Sequence, residues 1–361
     1  MRRFRGVSLL GIRSRTYLTK KVFENAPDLL AAGAYCIGTN QIDLDSASKK
    51  GVAVFNAPYS NTRSVAEIVI AEIIILIRRL HDKIVKAHEG IWDKSAENAR
   101  EVRGKKLGII GYGNIGSQVS MLAEAMGMDV YYYDVVDKLT IGNATRMSFL
   151  EDMLRIVDVV TVHVDGNPAN RNLIGEKEFE IMKDGVILLN LSRGFVVDVE
   201  ALKENILSGK VAGASLDVFP EEPKDANERF VSPLQHLPNV LLTPHIGGST
   251  EEAQYNIGEF VSSKLLEYVY TGSTFTSVNF PKIQLPSISD VQRLLHVHEN
   301  VPGVLSQINA IFARNDVNVV SQYLRTNEKI GYVIADVDTK YKDSLFDDLK
   351  QVVRTIKVRI L

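Results

Sequence analysis

One stretch of the chain indicates its fold most clearly: Lys106-Leu107-Gly108-Ile109-Ile110-Gly111-Tyr112-Gly113-Asn114-Ile115-Gly116. An apolar strand pattern runs directly into a GxGxxG turn, a helical pattern follows, and Asp134 ends the next strand pattern. In a dinucleotide-binding turn, Gly111 would permit the tight bend, Gly113 would let the main chain approach a pyrophosphate, and Gly116 would let helix and strand pack closely. The sequence therefore predicts a Rossmann-type turn at this point.

Asp134 discriminates between the two nicotinamide dinucleotides. A carboxylate at that position accepts hydrogen bonds from both ribose hydroxyls and repels a 2′-phosphate, so it favours NAD over NADP. The N-terminus of the following helix would meet the charge of the pyrophosphate. We therefore predict NAD as the cofactor. The alternative is a glycine turn in some other α/β fold.

Strand and helix patterns alternate around this turn. Short apolar runs recur between amphipathic stretches of helix length, which is typical of a doubly wound parallel sheet whose two faces are covered by helices. The sequence thus predicts an α/β fold with its main sheet in the middle of the chain. The apolar runs lie at residues 107–110, 130–133, 157–164, 186–191, 212–218 and 240–242.

The flanking segments predict further modules. Residues 1–60 carry three short strand patterns, too few for an independent sheet, and long helix patterns at 64–89 and 251–268 connect this segment with the middle of the chain. The stretch 271–290 is rich in Ser, Thr, Pro and Gly and is predicted to be a linker. Residues 291–361 then follow a βαββαβ order, which indicates a separate ferredoxin-like module.

Composition excludes several classes of function. The 361 residues include 42 Lys and Arg against 44 Asp and Glu, for a net charge of −2, so the basic surplus of nucleic-acid-binding proteins is missing. No run approaches the roughly 18 apolar residues that span a bilayer, so we predict no membrane partner. The one cysteine, Cys36, cannot form an internal disulfide, which favours a reducing, cytoplasmic location.

Three polar side chains follow predicted strands at the edge of the sheet where open α/β folds bind ligands. Arg193 offers a planar fork that fits a carboxylate. His245 titrates near neutrality, so it can exchange the proton that accompanies hydride transfer at an alcohol carbon. Glu222 beside it would raise its pKa and fix its tautomer. A surface salt-bridge arginine is the alternative for Arg193, and His163 is predicted to be structural or cofactor-adjacent.

These motifs resemble the D-isomer-specific 2-hydroxyacid dehydrogenases, from about Leu10 to the end of the chain. The resemblance implies an NAD-binding domain at 61–247, inserted in a discontinuous flavodoxin-like substrate-binding domain at 1–60 and 248–290, and an ACT regulatory domain at 291–361. The family normally has a further portion before Arg13, so we expect the substrate-binding domain to be N-terminally incomplete. The motifs that carry the resemblance are residues 111–116, 190–194, 217–223 and 243–250.

The resemblance to members with one C-terminal ACT domain implies NAD-linked oxidation of 3-phospho-D-glycerate to 3-phosphohydroxypyruvate, the entry to L-serine biosynthesis. It assigns Arg193 to substrate binding and polarisation, His245 to acid–base chemistry and Glu222 to support of the histidine. The residues implied to contact substrate are Arg13, Ser14, Arg15, Asn61 and Gln254, the arginines being suited to the phosphate. Those implied to contact NAD are Gly111, Gly113, Asn114, Ile115, Gly116, Asp134, Leu191, Asp217, Gly247 and Gly248.

The last module resembles an ACT domain, which pairs across subunits and binds amino acids in the seam. The resemblance implies that His298, Asn300 and Asn318 hold L-serine as a feedback inhibitor of a homo-oligomer, a dimer or tetramer. Amide and imidazole groups at a helix N-terminus suit the carboxylate and hydroxyl of an amino acid. The alternative is a purely structural dimerisation module.

Two other interpretations of the whole chain stay open at this point. One is a dehydrogenase for another D-2-hydroxy acid, such as 2-hydroxyglutarate. The other is a truncated, catalytically dead subunit that keeps a regulatory role. Contacts of Arg13 and Arg15 with the distal anion of the substrate would separate the first from the leading hypothesis, and turnover would separate the second.

Overall fold

The computed structural model describes residues 4–223, 227–285, 291–338 and 343–361. The chain forms two compact units. One comprises Asn61–Ala253, and the other joins Met1–Ser60 to Gln254–Leu361. The segments for which substrate-binding and ACT domains are predicted therefore share one unit, apart from residues 248–253, which belong to the other.

The first sixty residues contribute a small parallel sheet to the discontinuous unit. Its three strands pair in the order β1-β2-β3. The strands are short, and their apolar side chains share a buried cluster with the first helices, including Phe23 and Leu29. The elements are β1 (Leu9–Ile12), α1 (Lys20–Glu24), β2 (Ala31–Ala34), α2 (Leu44–Lys49) and β3 (Ala53–Phe55).

The continuous unit contains an all-parallel sheet of seven strands. Its central strands are buried on both faces, which explains their nearly continuous apolar sequence. The strand order confirms the predicted Rossmann-type doubly wound fold. Its elements are α3 (Thr62–Ile77), α4 (Leu80–His88), β4 (Lys106–Ile110), α5 (Asn114–Ala125), β5 (Asp129–Tyr133), β6 (Thr145–Arg146), α6 (Leu150–Ile156), β7 (Val159–Val162), α7 (Glu176–Ile181), β8 (Val186–Asn190), α8 (Val199–Leu207), β9 (Val211–Leu216) and β10 (Val240–Leu242), with single 3₁₀ turns at Pro168–Asn170 and Gly194–Val196.

The strand order β10-β9-β8-β7-β4-β5-β6 places the topological switch at β4. The chain passes from β4 to β5 on one side and returns to β7 on the other. In open α/β sheets the crevice beyond the carboxyl ends of such strands is the place where ligands bind. The glycine turn follows β4, so it lies at that crevice.

The single helix predicted over residues 64–89 is wrong. Two helices, α3 and α4, replace it, and Arg79 between them has a φ of 51°. A residue in the left-handed region ends an α-helix. The sequence does not reveal this break, because glycine, and not arginine, usually adopts this conformation.

The C-terminal part of the chain confirms the predicted ACT-like βαββαβ order. Four antiparallel strands pair as β12-β13-β11-β14, and the two helices cover one face through a shared apolar cluster. The opposite face packs on the long helix that precedes the module. The elements are α9 (Glu251–Thr271), β11 (Gln292–Glu299), α10 (Val304–Arg314), β12 (Val319–Thr326), β13 (Ile330–Val337), α11 (Asp343–Lys350) and β14 (Thr355–Ile360).

The linker predicted over 271–290 is wrong for its described part, which ends at residue 285. Thr274, Ser277 and Phe280 are buried. The Asn279 side chain accepts a hydrogen bond from the Val54 N–H at 2.8 Å and donates to the Val52 carbonyl at 2.9 Å. Polar side chains here pair with the main chain of the small sheet, so a composition typical of linkers belongs to a packed segment. Residues 286–290 of the predicted linker lie outside the described residues.

No helix within the described ranges is both long and apolar enough to cross a membrane.

Candidate active site

The glycine turn after β4 has the shape that a dinucleotide needs. Gly111 has a φ of 93°, and a Cβ there would lie 2.5 Å from the carbonyl oxygen of His163. A Cβ on Gly116 would press on the carbonyl of Gly111. The Cβ position of Gly113, by contrast, has no described atom within 4 Å. The outer glycines therefore serve packing, and the middle one leaves open space beside the start of α5, where a pyrophosphate fits.

Asp134 lies at the end of β5, beside that turn. Its Oδ2 accepts a hydrogen bond from the Tyr112 N–H and its Oδ1 accepts one from the Val136 N–H, both at 2.8 Å. Each carboxylate oxygen keeps a second lone pair, which is available to a ribose hydroxyl. The remaining lone pairs of this carboxylate therefore fit the hydroxyls of a ribose, and the assignment of Asp134 to NAD stays a prediction.

His163 lies beneath the turn as a neutral ring. Burial lowers its pKa to about 3. Its Nε2 is 2.9 Å from the Thr161 hydroxyl, and its buried Nδ1 has no hydrogen-bond partner among the described residues. A ring that does not ionise near neutral pH is unsuited to proton transfer there.

The remaining residues implied to contact NAD lie at carboxyl ends of strands or at the start of α5. Asn114 and Ile115 are the first residues of α5, and Leu191 is buried directly after β8. Gly248 packs against the Asn61 side chain, which leaves no room for a Cβ at that glycine. Gly247 lies in the loop after β10 that also carries His245, the candidate acid–base residue.

The candidate acid–base pair forms a direct hydrogen bond. His245 Nδ1 lies 2.8 Å from Glu222 Oε2, and the other carboxylate oxygen accepts from the Phe219 N–H at 3.2 Å. Because a carboxylate only accepts, Nδ1 carries the proton. His245 Nε2 has no hydrogen bond from the described residues, and 54% of the His245 side chain is exposed. The ring is therefore held through Nδ1, and Nε2 is left without a partner among the described residues.

The hydrogen bond between His245 and Glu222 shifts their two pKa values in opposite directions. The hydrogen bond to Glu222 raises the pKa of His245, and burial partly opposes it. Burial also disfavours the charged form of Glu222, yet the hydrogen bond and the charge of His245 hold the pKa of Glu222 below its usual value. The positive charge of Arg193 lowers both pKa values, so the guanidinium lies within electrostatic reach of the pair.

Asp217 anchors the loop that carries His245. It is 2% exposed, and its Oδ1 accepts hydrogen bonds from the Thr243 hydroxyl at 2.6 Å and the Ile246 N–H at 2.8 Å. Its Oδ2 accepts from the Gly247 N–H at 2.7 Å. The resemblance implies only cofactor contact for Asp217. The structure adds a positioning role that sequence reasoning missed, because main-chain donors leave no sequence signal.

Asn190 and Gly194 hold the loop of Arg193, and both were missed from the sequence. The buried Asn190 side chain accepts from the Ser192 N–H at 3.1 Å and donates to the Arg193 carbonyl at 2.9 Å. Gly194 lies so close to the main chain of Phe219 that no side chain fits there. Backbone contact thus joins the arginine loop to the loop of Glu222.

The residues implied to contact substrate divide between the two units. Arg13, Ser14 and Arg15 are exposed after β1, and Arg13 Nη2 donates to Gln254 Oε1 at 2.7 Å within the discontinuous unit. Asn61 belongs to the continuous unit, where it immediately precedes α3.

The structure does not bring the three residues implied to bind serine together within one chain. His298 is buried and pairs with Gly331 at one end of β13. Asn318 precedes β12, whose first residue pairs with Val337 at the other end, roughly 20 Å away along the strand. Asn300 is exposed near His298 and donates to the Asn327 carbonyl at 2.8 Å. A single chain therefore does not bring Asn318 to the same ligand as His298 and Asn300.

Among the described residues, no group of three or more His, Cys, Asp or Glu side chains could hold a metal ion.

Comparisons with known proteins agree with this geometry. A family model described as "D-isomer specific 2-hydroxyacid dehydrogenase, NAD binding domain" matches residues 70–247, and one described as "AHAS small subunit-like ACT domain" matches residues 294–358. The D-3-phosphoglycerate dehydrogenase of Haemophilus influenzae is 51% identical over 98% of this chain and 87% of its own length. That of Escherichia coli strain K12 is 51% identical over 99% of this chain and 87% of its own length.

Solved structures show the same relationship. The structure of D-2-hydroxyisocaproate dehydrogenase has a TM-score of 0.72 at 27% identity and covers 76% of this chain and 87% of that one. D-lactate dehydrogenase from Aquifex aeolicus, complexed with NAD and lactic acid, has a TM-score of 0.67 at 31% identity and covers 77% of this chain and 89% of that one. The predicted family and the predicted cofactor NAD are confirmed. The chain belongs to the D-isomer-specific 2-hydroxyacid dehydrogenases, as an NAD-dependent oxidoreductase of the D-3-phosphoglycerate dehydrogenase family with a C-terminal ACT domain.

Proposed function

We propose that this chain oxidises 3-phospho-D-glycerate to 3-phosphohydroxypyruvate with NAD, the first step of L-serine biosynthesis. The similarity to D-3-phosphoglycerate dehydrogenases over nearly the whole chain carries this proposal. The hydrogen-bonded pair of His245 and Glu222, with Arg193 nearby, supplies the groups that such a reaction needs.

Arg193 binds the substrate carboxylate and polarises the neighbouring C2 oxygen. Its fork-shaped guanidinium can donate two parallel hydrogen bonds to a carboxylate, which also fixes the orientation of C2. The hydrogen bonds of Asn190 hold the main chain of this loop, so the arginine is positioned before substrate arrives. Orientation of this kind reduces the entropy cost of reaching the transition state.

His245 accepts the proton of the C2 hydroxyl at Nε2. Glu222 stabilises the imidazolium that results, because its carboxylate accepts the hydrogen bond of Nδ1 in both protonation states. NAD, when bound, supplies the nicotinamide ring that accepts the hydride from C2. In the reverse direction His245 returns the proton to the C2 oxygen.

The residues around the glycine turn hold the cofactor in this proposal. Gly113, Asn114 and Ile115 meet the pyrophosphate at the start of α5, and Asp134 binds the ribose hydroxyls. Arg13 and Arg15 provide positive charge for the substrate phosphate, with Arg13 oriented by Gln254. The other residues assigned to these two sites are Gly111, Gly116, Leu191, Asp217, Gly247 and Gly248 for the cofactor, and Ser14 and Asn61 for the substrate.

L-Serine regulates the enzyme at His298, Asn300 and Asn318, in a cytoplasmic homo-oligomer. The separation of Asn318 from the other two residues along β13 supports a site built from two chains. The exposed edge strand β12, with Val320 56% and Tyr323 41% exposed, offers a surface through which ACT modules can pair.

The test is NADH formation by the purified chain with 3-phospho-D-glycerate, D-glycerate and D-2-hydroxyglutarate. We expect turnover with 3-phospho-D-glycerate to exceed that with either other acid. Arg13→Gln should raise the KM for 3-phospho-D-glycerate about tenfold and leave D-glycerate, which lacks the phosphate, unaffected. Absence of turnover with 3-phospho-D-glycerate, or faster turnover of D-2-hydroxyglutarate, would refute the proposed activity. Insensitivity to millimolar L-serine would refute the regulation alone.

A further inference from the structure

Two histidines of the ACT module are buried against each other. His296 and His298 stand two residues apart on β11, so their side chains lie on the same face of the sheet. Each is 3% exposed, and their Nδ1 atoms are 3.4 Å apart. One Nδ1 can donate to the other only if that other nitrogen keeps its lone pair, and the main-chain carbonyl of His296 is a second acceptor, since it raises the pKa of both rings.

Thr355 on β14 decides which ring donates. Its hydroxyl lies 2.7 Å from the Val352 carbonyl, which can only accept, so the single hydroxyl proton points there. The same oxygen lies 2.9 Å from His296 Nε2 and must therefore accept a proton from that nitrogen. His296 thus carries its proton on Nε2 and a lone pair on Nδ1.

The tautomer of His298 follows from that of His296. His298 donates its Nδ1 proton to His296, whose Nδ1 lone pair and main-chain carbonyl both accept from this ring, so the Nε2 of His298 carries a lone pair. That Nε2 lies over Gly331 of β13, where any side chain would clash with it. It receives no hydrogen bond from the described residues.

Burial keeps both rings in the neutral form that this chain of hydrogen bonds requires. Desolvation lowers the pKa of His296 to about 4 and also lowers the pKa of His298. The carbonyl of Leu349 raises the pKa of His296, as an acceptor of a ring N–H does. Near neutral pH neither ring is protonated on both nitrogens.

We propose that His296 and Thr355 are positioning residues that hold His298 as a hydrogen-bond acceptor, so the regulatory ligand must bring a donor, an ammonium or hydroxyl group, to His298 Nε2. This inference rests on the proposed regulation by L-serine, which carries both donors. An amino-acid carboxylate cannot bind at Nε2, because a carboxylate has no proton to donate and its oxygens would face the lone pair of Nε2. The carboxylate is left to the main-chain N–H groups at the start of α10, which no side chain of the described residues caps.

The tautomers can be measured directly by NMR of the full-length chain with nitrogen-labelled histidine, without any ligand. We expect the His298 proton on Nδ1 and the His296 proton on Nε2 in the unmodified chain and in Thr355→Ser, which keeps the hydroxyl. Thr355→Val removes the acceptor and should give a mixture of tautomers. A His298 proton on Nε2 in the unmodified chain would overturn the proposal.

The response to L-serine tests the consequence, with the rate of each variant in the absence of serine as its own reference. Thr355→Val and His296→Leu should raise the serine concentration for half inhibition about tenfold, the effect of one misdirected hydrogen bond. Thr355→Ser keeps the hydroxyl that accepts from His296. His296→Gln keeps a donor toward Thr355 and an acceptor toward His298. Both variants should therefore respond to serine as the unmodified chain does. Equal losses in all four variants, or no loss in the first two, would contradict the proposal.

The two measurements separate this inference from the proposed function. If serine fails to inhibit the unmodified chain, the proposed regulation is wrong and the NMR result still decides the tautomers. If serine inhibits and the tautomers differ from those stated, the regulation stands and the positioning role of His296 and Thr355 is wrong.

Discussion

His245 of the continuous unit and His298 of the ACT module are the same side chain in opposite surroundings. His245 is exposed, its partner is a carboxylate, and that hydrogen bond raises its pKa. His298 is buried, its partner is another neutral imidazole, and burial lowers its pKa. In both cases the partner bonds to Nδ1, and Nε2 has no hydrogen bond from the described residues.

The difference separates two uses of histidine. A ring that transfers protons must reach both protonation states near the working pH, which a neighbouring carboxylate and contact with solvent allow. A ring that recognises a ligand through one lone pair must keep one tautomer, which burial and a directional chain of hydrogen bonds enforce. Residue type alone does not tell these uses apart, whereas the partner of Nδ1 does.

The strongest test of the contrast removes the exposed ring. His245→Ala should lower kcat by about a thousandfold, because it deletes the acceptor of the hydroxyl proton. Binding of NADH, measured by fluorescence titration, should stay within about twofold of the unmodified chain, since the glycine turn and Asp134 do not depend on the ring. His88→Ala, an exposed histidine at the end of α4, is the matched control and should keep full activity. A variant of His245 with near-normal kcat would remove its role as acid–base residue.

Arg193→Lys is expected to have the next largest effect. Lysine keeps the charge but loses the planar fork, so kcat/KM for 3-phospho-D-glycerate should fall about a hundredfold. The pKa of His245 should change little, since a positive charge stays near the pair. Steady-state kinetics over pH measure both quantities. A normal kcat/KM would show that no bidentate contact is made.

The strand-ending motifs could be predicted from the sequence because single residues there carry steric or chemical requirements. Gly111 has a positive φ and Gly116 has no space for a side chain, so the GxGxxG spacing reports the local structure directly. Arg193, Glu222 and His245 follow strands whose apolar pattern is plain. The family and the cofactor could therefore be predicted from the sequence.

Features that depend on main-chain partners could not be predicted. The carboxylate of Asp217 binds the N–H groups of Ile246 and Gly247, which every residue except proline offers. Asn279 pairs with the main chain of β3 and its preceding turn, and this turns a linker-like composition into packed structure. The order of His296 and His298 in the hydrogen-bond chain likewise required Thr355, which is distant in sequence.

Lowering the pH should destabilise the ACT module, because the buried ring of His296 resists protonation in the folded state. The pKa of His296 is lowered to about 4 in the folded state against about 6.5 when unfolded, so its stabilising contribution is complete above pH 6.5 and is lost as the pH falls toward 4. At pH 5 the loss is about 2 kcal/mol relative to pH 7.5. Hydrogen exchange measured on peptides from β11 and β13 reports this loss of stability locally. In His296→Gln, which does not titrate, the loss should shrink, and an equal loss in both chains would show that His296 is not its source.

The smallest expected effect comes from neutralising Glu222, the hydrogen-bond partner of His245. This change tests the contrast between His245 and His298 most directly. Glu222→Gln keeps one oxygen that accepts the Nδ1 proton, loses the hydrogen bond that the other carboxylate oxygen accepts from the Phe219 N–H, and removes the charge that raises the pKa of His245. Oxidation requires neutral His245, so kcat/KM rises with pH through this pKa, and the rise should move to lower pH in the variant. The plateau should fall about tenfold, because the imidazolium loses its counter-charge. Glu221→Gln, at the adjacent exposed carboxylate, should keep the unmodified pH profile. If Glu222→Gln also keeps that profile, the carboxylate only orients the ring, and His245 differs from His298 in exposure but not in electrostatics.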